Sequence, residues 1–227
     1  MTIKRNKLPT LLGLVILVAA TFLGVFLLNG QQIFRLGASG ESSPKDIRTS
    51  NITDTSLTIS WSTDKAVSGF INWGTSSSSV TNIEKENDEK SFTHSVTVNG
   101  LAPEKIVYFK INSDGSVYDK KGIPWQISTG ATLGINKSSI LLSGSIIVAT
   151  GEPVRKALVY ANVGGYLFST LTSDTGNYVF QLANTRTQDL SNYLTINESQ
   201  TLVEIFVQAP PNGVSSAQIV PQSGKSA

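Results

Sequence analysis

The pattern of hydrophobic and polar positions divides the chain into two regimes. From Leu8 to Phe34 there is no charged residue, and the run LPTLLGLVILVAATFLGVFLL (8–28) is almost wholly apolar. From Pro44 onward the apolar residues come instead as short alternating runs. Leu57, Ile59 and Trp61 alternate with Thr58, Ser60 and Ser62. Ile71 and Trp73, then Val96 and Val98, then Val107, Phe109 and Ile111, then Trp125 and Ile127, keep the same period. A period of two sends successive side chains to opposite faces, so each run predicts a strand buried through its apolar positions. Gly, Asn, Asp and Pro separate the runs at the spacing of a β-sandwich.

After a polar stretch at 131–138 the alternation resumes. Ile146 and Val148 lead into a Gly151-Glu152-Pro153 turn, and Ala157, Val159 and Ala161 alternate inward. Leu167 to Leu171 is another apolar run. Asp174-Thr175-Gly176-Asn177 is a strong turn signal, followed by Tyr178, Phe180 and Leu182 at period two. Val203, Ile205 and Val207 form a late strand ending at Pro210-Pro211, and 185–199 reads as a long loop. The predicted fold class is all-β: two tandem β-sandwich modules preceded by one N-terminal transmembrane helix. The boundaries are a basic segment at 1–7, the helix at 8–28, a linker at 29–43, a first module at 44–130, a linker at 131–138, a second module at 139–221 and a disordered tail at 222–227.

The apolar run has the length of a membrane span, because 8–28 as an α-helix rises about 31 Å against a hydrocarbon core of about 30 Å. Pro9 falls in its first turn, where a missing N–H costs nothing. Lys4, Arg5 and Lys7 precede it, whereas Arg35 and Lys45 are the first positive charges after it. The positive-inside rule then predicts a cytoplasmic N-terminus and extracytoplasmic modules, with the lipid bilayer as partner through residues 8–28. The other reading is a cleaved signal peptide, whose apolar region normally runs about 7–15 residues before a small-x-small site. This run is longer and lacks such a site nearby.

Composition narrows the chemistry. The formal charge is only +2 and the eighteen basic residues are scattered, which argues against a nucleic-acid partner. There is no cysteine, so disulfides, thiolate metal sites and cysteine nucleophiles are excluded, and an exported chain must rely on its cores. That habit fits bacterial surface proteins. His94 is the one histidine, which excludes multi-histidine metal sites. It reads as a polar residue entering a strand, and the mixed charge run EKENDEK (84–90) as a solvated loop. No nucleophile elbow, metal-ligand pair or Ser–His–Asp order stands out, so no catalytic, cofactor or metal residue is assigned. Three N-x-S/T sequons, at Asn51, Asn136 and Asn197, matter only in a eukaryotic secretory pathway.

Two resemblances give the modules names. LTISWST (57–63), with Trp61 as core tryptophan, resembles the second strand of a fibronectin type III domain. TDKAVSGFINWGTSSSS (63–79), containing Trp73, and HSVTVNGLAPEKIVYFKI (94–111) resemble the variant at the N-terminus of purple acid phosphatases. The Leu101-x-Pro103 turn before an aromatic strand is the most specific part. One departure is Val107, which stands where that family usually carries a corner tyrosine. The phosphatase chemistry needs two metals on a separate catalytic domain, so the resemblance implies a fold and not that activity. SGSIIVATGEPVRKALVYA (143–161) and TSDTGNYVF (172–180) resemble the carboxypeptidase regulatory-like domain, a transthyretin-like sandwich. There Asp174 and Gly176 shape the hairpin turn, while Tyr178 and Phe180 are the aromatic pair that buries itself.

The expected function is non-catalytic display of the two modules for adhesion, envelope organisation or protein–protein interaction. The partner is an unknown extracellular or envelope protein, or a glycan. The alternative is a cell-wall glycan-binding accessory protein, which needs an exposed aromatic platform; Tyr108, Tyr118, Tyr160 and Tyr166 are its candidates.

Overall fold

Fourteen strands and a single 3-10 turn (Leu182–Asn184) make up the regular structure of the computed structural model, which describes residues 40–86 and 89–221. The apolar run 8–28, Lys4, Arg5, Lys7, most of the predicted linker and the tail 222–227 lie outside the described residues. Among the described residues no helix is long and apolar enough to cross a membrane.

In chain order the first strands are β1 (Lys45–Ser50), β2 (Ser56–Val67), β3 (Gly69–Gly74), β4 (Asn82–Lys85), β5 (Ser91–Asn99), β6 (Ile106–Ser113), β7 (Ser116–Tyr118) and β8 (Trp125–Ser128). They form two antiparallel sheets. One has the order β1-β2-β5; in the other, β4, β3 and β6 run in order, and both β7 and β8 pair with the far side of β6. Leu57, Ile59 and Trp61 of β2 meet Ile71, Phe109 and Ile111 of the facing sheet in one apolar core. Each such side chain contributes about 1.5–3 kcal/mol on leaving water. With no cysteine to cross-link it, this burial holds the sandwich together.

The remaining strands are β9 (Leu141–Ser145), β10 (Leu158–Val163), β11 (Tyr166–Leu171), β12 (Asn177–Gln181), β13 (Val203–Gln208) and β14 (Val214–Ile219). A sheet ordered β11-β10-β13-β14 packs on the β9–β12 pair through a second core. Val159, Ala161, Ile205 and Val207 point into it from one side, and Leu142, Tyr178 and Phe180 from the other. Gly176 closes the hairpin before β12 at φ +76°, and a Cβ there would stand 2.5 Å from the Ile146 carbonyl oxygen, so only glycine fits. As expected from the sequence, residues 185–201 carry no strand, only a bridge between Arg186 and Tyr193.

Two expectations are corrected. The strand β14 has no counterpart in the pattern reading, because five of its six residues are exposed and none of them alternates with buried apolar ones. Backbone pairing with β13 creates it, and that leaves no hydrophobic period. Second, β2 and β10 are buried on both faces rather than one. Thr58 and Ser60 are as inaccessible as their apolar neighbours, and so are Leu158 and Tyr160 of β10. The polar face of the β1-β2-β5 sheet is covered by β10 and β11.

Candidate functional site: the polar junction

The face of β2 that the pattern assigns to solvent, and the same face of β1 beside it, carry hydroxyls, and β10 and β11 answer them with their own. Ser60 Oγ lies 2.9 Å from Tyr160 Oη, and Ser50 Oγ lies 2.6 Å from Ser169 Oγ. Asn51 acts as a substitute strand partner for β11. Its backbone N–H donates to Leu167 O at 2.9 Å, its Nδ2 donates to Ser169 O at 2.9 Å, and its Oδ1 accepts from Ser169 N–H at 3.0 Å. The Asn51 backbone sits at φ +51°, a conformation asparagine tolerates better than most residues. This geometry leaves the Asn51 amide no room for a glycan.

Farther along, Tyr166 Oη donates to Ile52 O at 3.0 Å, Thr93 Oγ1 to Lys156 O at 2.5 Å, and Gln208 Nε2 to Asp46 Oδ2 at 2.9 Å. The Arg48 guanidinium lies over both Tyr160 and Phe206, 4.8 and 4.7 Å from their centroids. At one end Arg186, only 3% exposed, donates to Asp54 Oδ1 at 3.2 Å and to Ala131 O at 2.6 Å. At the other, Glu89 pairs with Lys156 and Arg155. Each satisfied neutral hydrogen bond contributes about 0.5–1.5 kcal/mol, while leaving one partner buried and unpaired costs about 1–3 kcal/mol. Directional bonds of this density hold one relative orientation.

Burial governs the tyrosines. It pushes the Tyr166 phenol up to about 12, against the opposing pull of the nearby Arg186 charge. It raises Tyr160 too, with the Ser60 hydrogen bond acting the other way. Glu89 is lowered, chiefly by its hydrogen bond from Lys156. A phenol with a raised folded pKa keeps its proton after the unfolded chain has lost it. Its contribution is therefore fully present below about pH 10 and is lost between about 10 and 12. We expect urea unfolding to show roughly 3 kcal/mol lost across that window through Tyr166, and a shallower alkaline slope in Tyr166→Phe.

The candidate residues do not converge. Trp61 and Leu101 are buried in the first core and Trp73 is half-buried against it, while Pro103 is exposed in its turn. Tyr178 and Phe180 are in the second core, at 8% and 4% exposure. Asp174 points to solvent with Arg155 Nε 3.8 Å away, and the turn is capped instead by Ser173 Oγ, which accepts from Asn177 N–H at 3.2 Å. The expected tyrosine platform is overturned in part. Tyr160 and Tyr166 are 1% and 5% exposed, because their rings carry the junction, and only Tyr108 and Tyr118 reach the surface, each half-buried.

His94 and the charge run need correction as well. His94 is fully buried in the middle of β5 and stacks on Trp61, with centroids 4.8 Å apart and planes 10° apart. Its Nδ1 bonds Glu86, whose other oxygen accepts from Ser95 N–H at 3.2 Å, and its Nε2 faces Thr63 Oγ1 at 3.4 Å. Gly69 makes the space: a Cβ there would lie 2.6 Å from Trp61 Cζ2 and 3.0 Å from His94 Nδ1. Far from being a solvated loop throughout, EKENDEK sends Glu86 inward and Glu89 across the junction. A general base must come within about 3 Å of a substrate proton; both nitrogens of His94 face protein groups instead. Among the described residues no three His, Asp or Glu side chains gather as a metal site. A groove of about 590 Å³ along β9 and β12, lined by Ser143, Ser145, Thr170, Asn177 and Val179, holds no charged side chain.

Sequence reasoning missed Arg186, Asp54, Asn51 and Ser169. The sequence marked Asn51 only as a sequon, and nothing local joins it to residue 169.

Comparison with known proteins bears on the first half. Residues 44–127 match the family described as "Purple acid Phosphatase, N-terminal domain". Among solved structures the chain is similar to the FN1–FN3 domains of chicken CNTN1, at 17% identity and a TM-score of 0.28, covering 78% of this chain and 66% of that one. It is similar to a two-domain fibronectin type III segment of chicken tenascin, at 13% identity and a TM-score of 0.27, covering 78% of this chain and 98% of that one. A third is the central fibronectin-III array of RIM-binding protein, at 16% identity and a TM-score of 0.27, covering 82% and 66%. No curated protein matches the chain. The three-stranded β1-β2-β5 sheet facing the β3–β6 sheet, together with the family match over 44–127, gives this part of the chain a fibronectin type III-like fold.

Proposed function

We propose that this protein is a membrane-anchored, extracytoplasmic display protein without catalytic function. Residues 8–28 hold it in the bilayer with Lys4, Arg5 and Lys7 on the cytoplasmic side. Two β-sandwich modules, the fibronectin type III-like 44–130 and a carboxypeptidase regulatory-like 139–221, are presented together for protein–protein interaction, adhesion or envelope organisation. The observation that carries this reading is the polar junction. Two modules joined by a flexible tether alone would sample many orientations. Here the outward face of one sheet is consumed in bonding the other, which suits a rigid body that sets its remaining surfaces at a fixed angle to one another.

The chain has no cysteine, so one introduced thiol reports its own compartment. Ser77, exposed in the loop after β3 and free of hydrogen bonds to the core, is a suitable position. In intact cells of a bacterial host, full-length Ser77→Cys is expected to react with a membrane-impermeant maleimide as fully as in lysed cells. Labelling only after lysis would overturn the display reading.

A further inference from the structure

At the Arg186 end of the junction the two sandwiches leave a cleft of about 410 Å³, within the roughly 300–1,000 Å³ of small-molecule sites. Asp54 and Thr55 line it from the turn between β1 and β2, and Tyr166 from β11. Asn184, at the end of the 3-10 turn, and Arg186 and Tyr193, in the loop after it, complete the lining. Other hollows lack this combination. The groove along β9 and β12 carries no charged side chain, and a hollow of about 510 Å³ is lined by the loop 187–192 alone. The hollow beside Glu86 and Glu89 holds only about 200 Å³. In the cleft the polar groups are set in advance. Arg186, 3% exposed, gives Nη1 to the Ala131 and Leu190 carbonyls and Nη2 to Asp54 Oδ1, while its Nε–H has no acceptor among the described residues. Tyr166 is fixed by its bond to the Ile52 carbonyl. Asp54 Oδ2, the Thr55 hydroxyl and the Asn184 carboxamide also make no hydrogen bond among the described residues.

We propose that this cleft binds one neutral pyranose unit of a glycan. The ligand class follows from the groups present. Arg186 and Asp54 answer each other's charge, so an ionic ligand finds no unpaired counter-charge here. What remains is an acceptor in Asp54 Oδ2, a donor in Arg186 Nε–H, and two groups, the Thr55 hydroxyl and the Asn184 carboxamide, that do both. Every sugar hydroxyl also donates and accepts, and adjacent ring hydroxyls offer such pairs side by side. Tyr193 supplies the complementary apolar surface, because the negative face of its ring attracts the polarised C–H bonds of a pyranose. Its ring is half-buried and lies 6.0 Å from the Arg186 guanidinium, which steadies it without covering it. A wholly apolar ligand would leave the same polar groups dry and unpaired. The site gives the displayed body a ligand and rests on that reading only for where the glycan is met.

The test applies the full-length chain, purified in a detergent without a sugar headgroup, to an array of neutral hexose and N-acetylhexosamine glycans alongside acidic ones. Capture of neutral glycans is expected. Binding is expected to fall at least about ten-fold with Asn184→Ala, an exposed position whose change leaves both cores intact, and with Tyr193→Ala. Tyr193→Phe keeps the ring and is expected to keep the binding. Tyr118→Ala, at a half-buried tyrosine of the first sandwich, is expected to bind like the unaltered chain. No capture of any neutral glycan, capture of acidic glycans alone, indifference to Asn184→Ala, or equal loss with Tyr118→Ala would each overturn the proposal. Purified protein binds or fails to bind whatever its topology in cells, which the Ser77→Cys labelling reads separately.

Discussion

His94→Ala is expected to destabilise the protein by about 3–5 kcal/mol, because the side chain it removes is fully buried and paired. Two losses add. The imidazole leaves a void against Trp61, on which it stacks at 4.8 Å, and that void cannot collapse because Gly69 already brings backbone to within contact of both rings. The Glu86 carboxylate, with its side chain only 11% exposed, then retains one backbone donor in place of two partners. Breaking such a pair from one side is worse than removing both members. Glu86→Ala combined with His94→Ala is therefore expected to cost less than the sum of the two single changes, by at least about 1 kcal/mol in a double-mutant cycle from urea unfolding. A polar residue at the mere entrance of a strand would cost within about 0.5 kcal/mol. A value that small for His94→Ala would refute a structural role for the Glu86–His94 pair and its stack on Trp61.

Arg186→Ala is expected to be as damaging, at about 3–5 kcal/mol, and to act on a different part of the molecule. The guanidinium bonds Asp54 from the first sandwich, the Ala131 carbonyl from the connecting segment and the Leu190 carbonyl from its own loop. One planar group thus ties three stretches of chain that share no strand. Without it Asp54 loses its partner and the backbone bond from Ala131 N–H to Leu190 O loses its support. Hydrogen exchange is expected to speed up at Ala131 and across 185–194, while β2 and β6 keep their protection. Arg186→Lys restores the charge but not the fork that reaches several acceptors at once, so it is expected to recover less than half of the loss. Full recovery by lysine would show that charge alone matters at this position.

Much of the scaffold was legible because strand burial is a local and periodic property. The alternation of Leu57, Ile59 and Trp61, and of Val203, Ile205 and Val207, marks an inner face whatever else the chain does. The turn at Gly176 was legible for a related reason, since a φ of +76° with a carbonyl oxygen 2.5 Å from the missing Cβ admits only glycine. The candidate site was not legible. Thr58, Ser60 and Ser169 look like solvent-facing residues of amphipathic strands, and Tyr160 and Tyr166 like surface aromatics. Their burial depends on the arrival of a second sheet carrying matched donors and acceptors, and the residues that meet there are as much as 162 positions apart.

The sequence by itself determined most of the core strands, their inward faces and where the Gly176 hairpin closes, because those follow from period, side-chain shape and backbone freedom over a few residues. Only the tertiary structure decided what became of the polar faces. It placed Glu86 against His94, set Arg186 on Asp54, made Asn51 a strand partner for β11 and made 214–219 a strand by pairing it with β13. A polar side chain is at home in water or in a satisfied buried bond at nearly equal free energy. Its own identity therefore does not choose between the two; the geometry of what packs against it does.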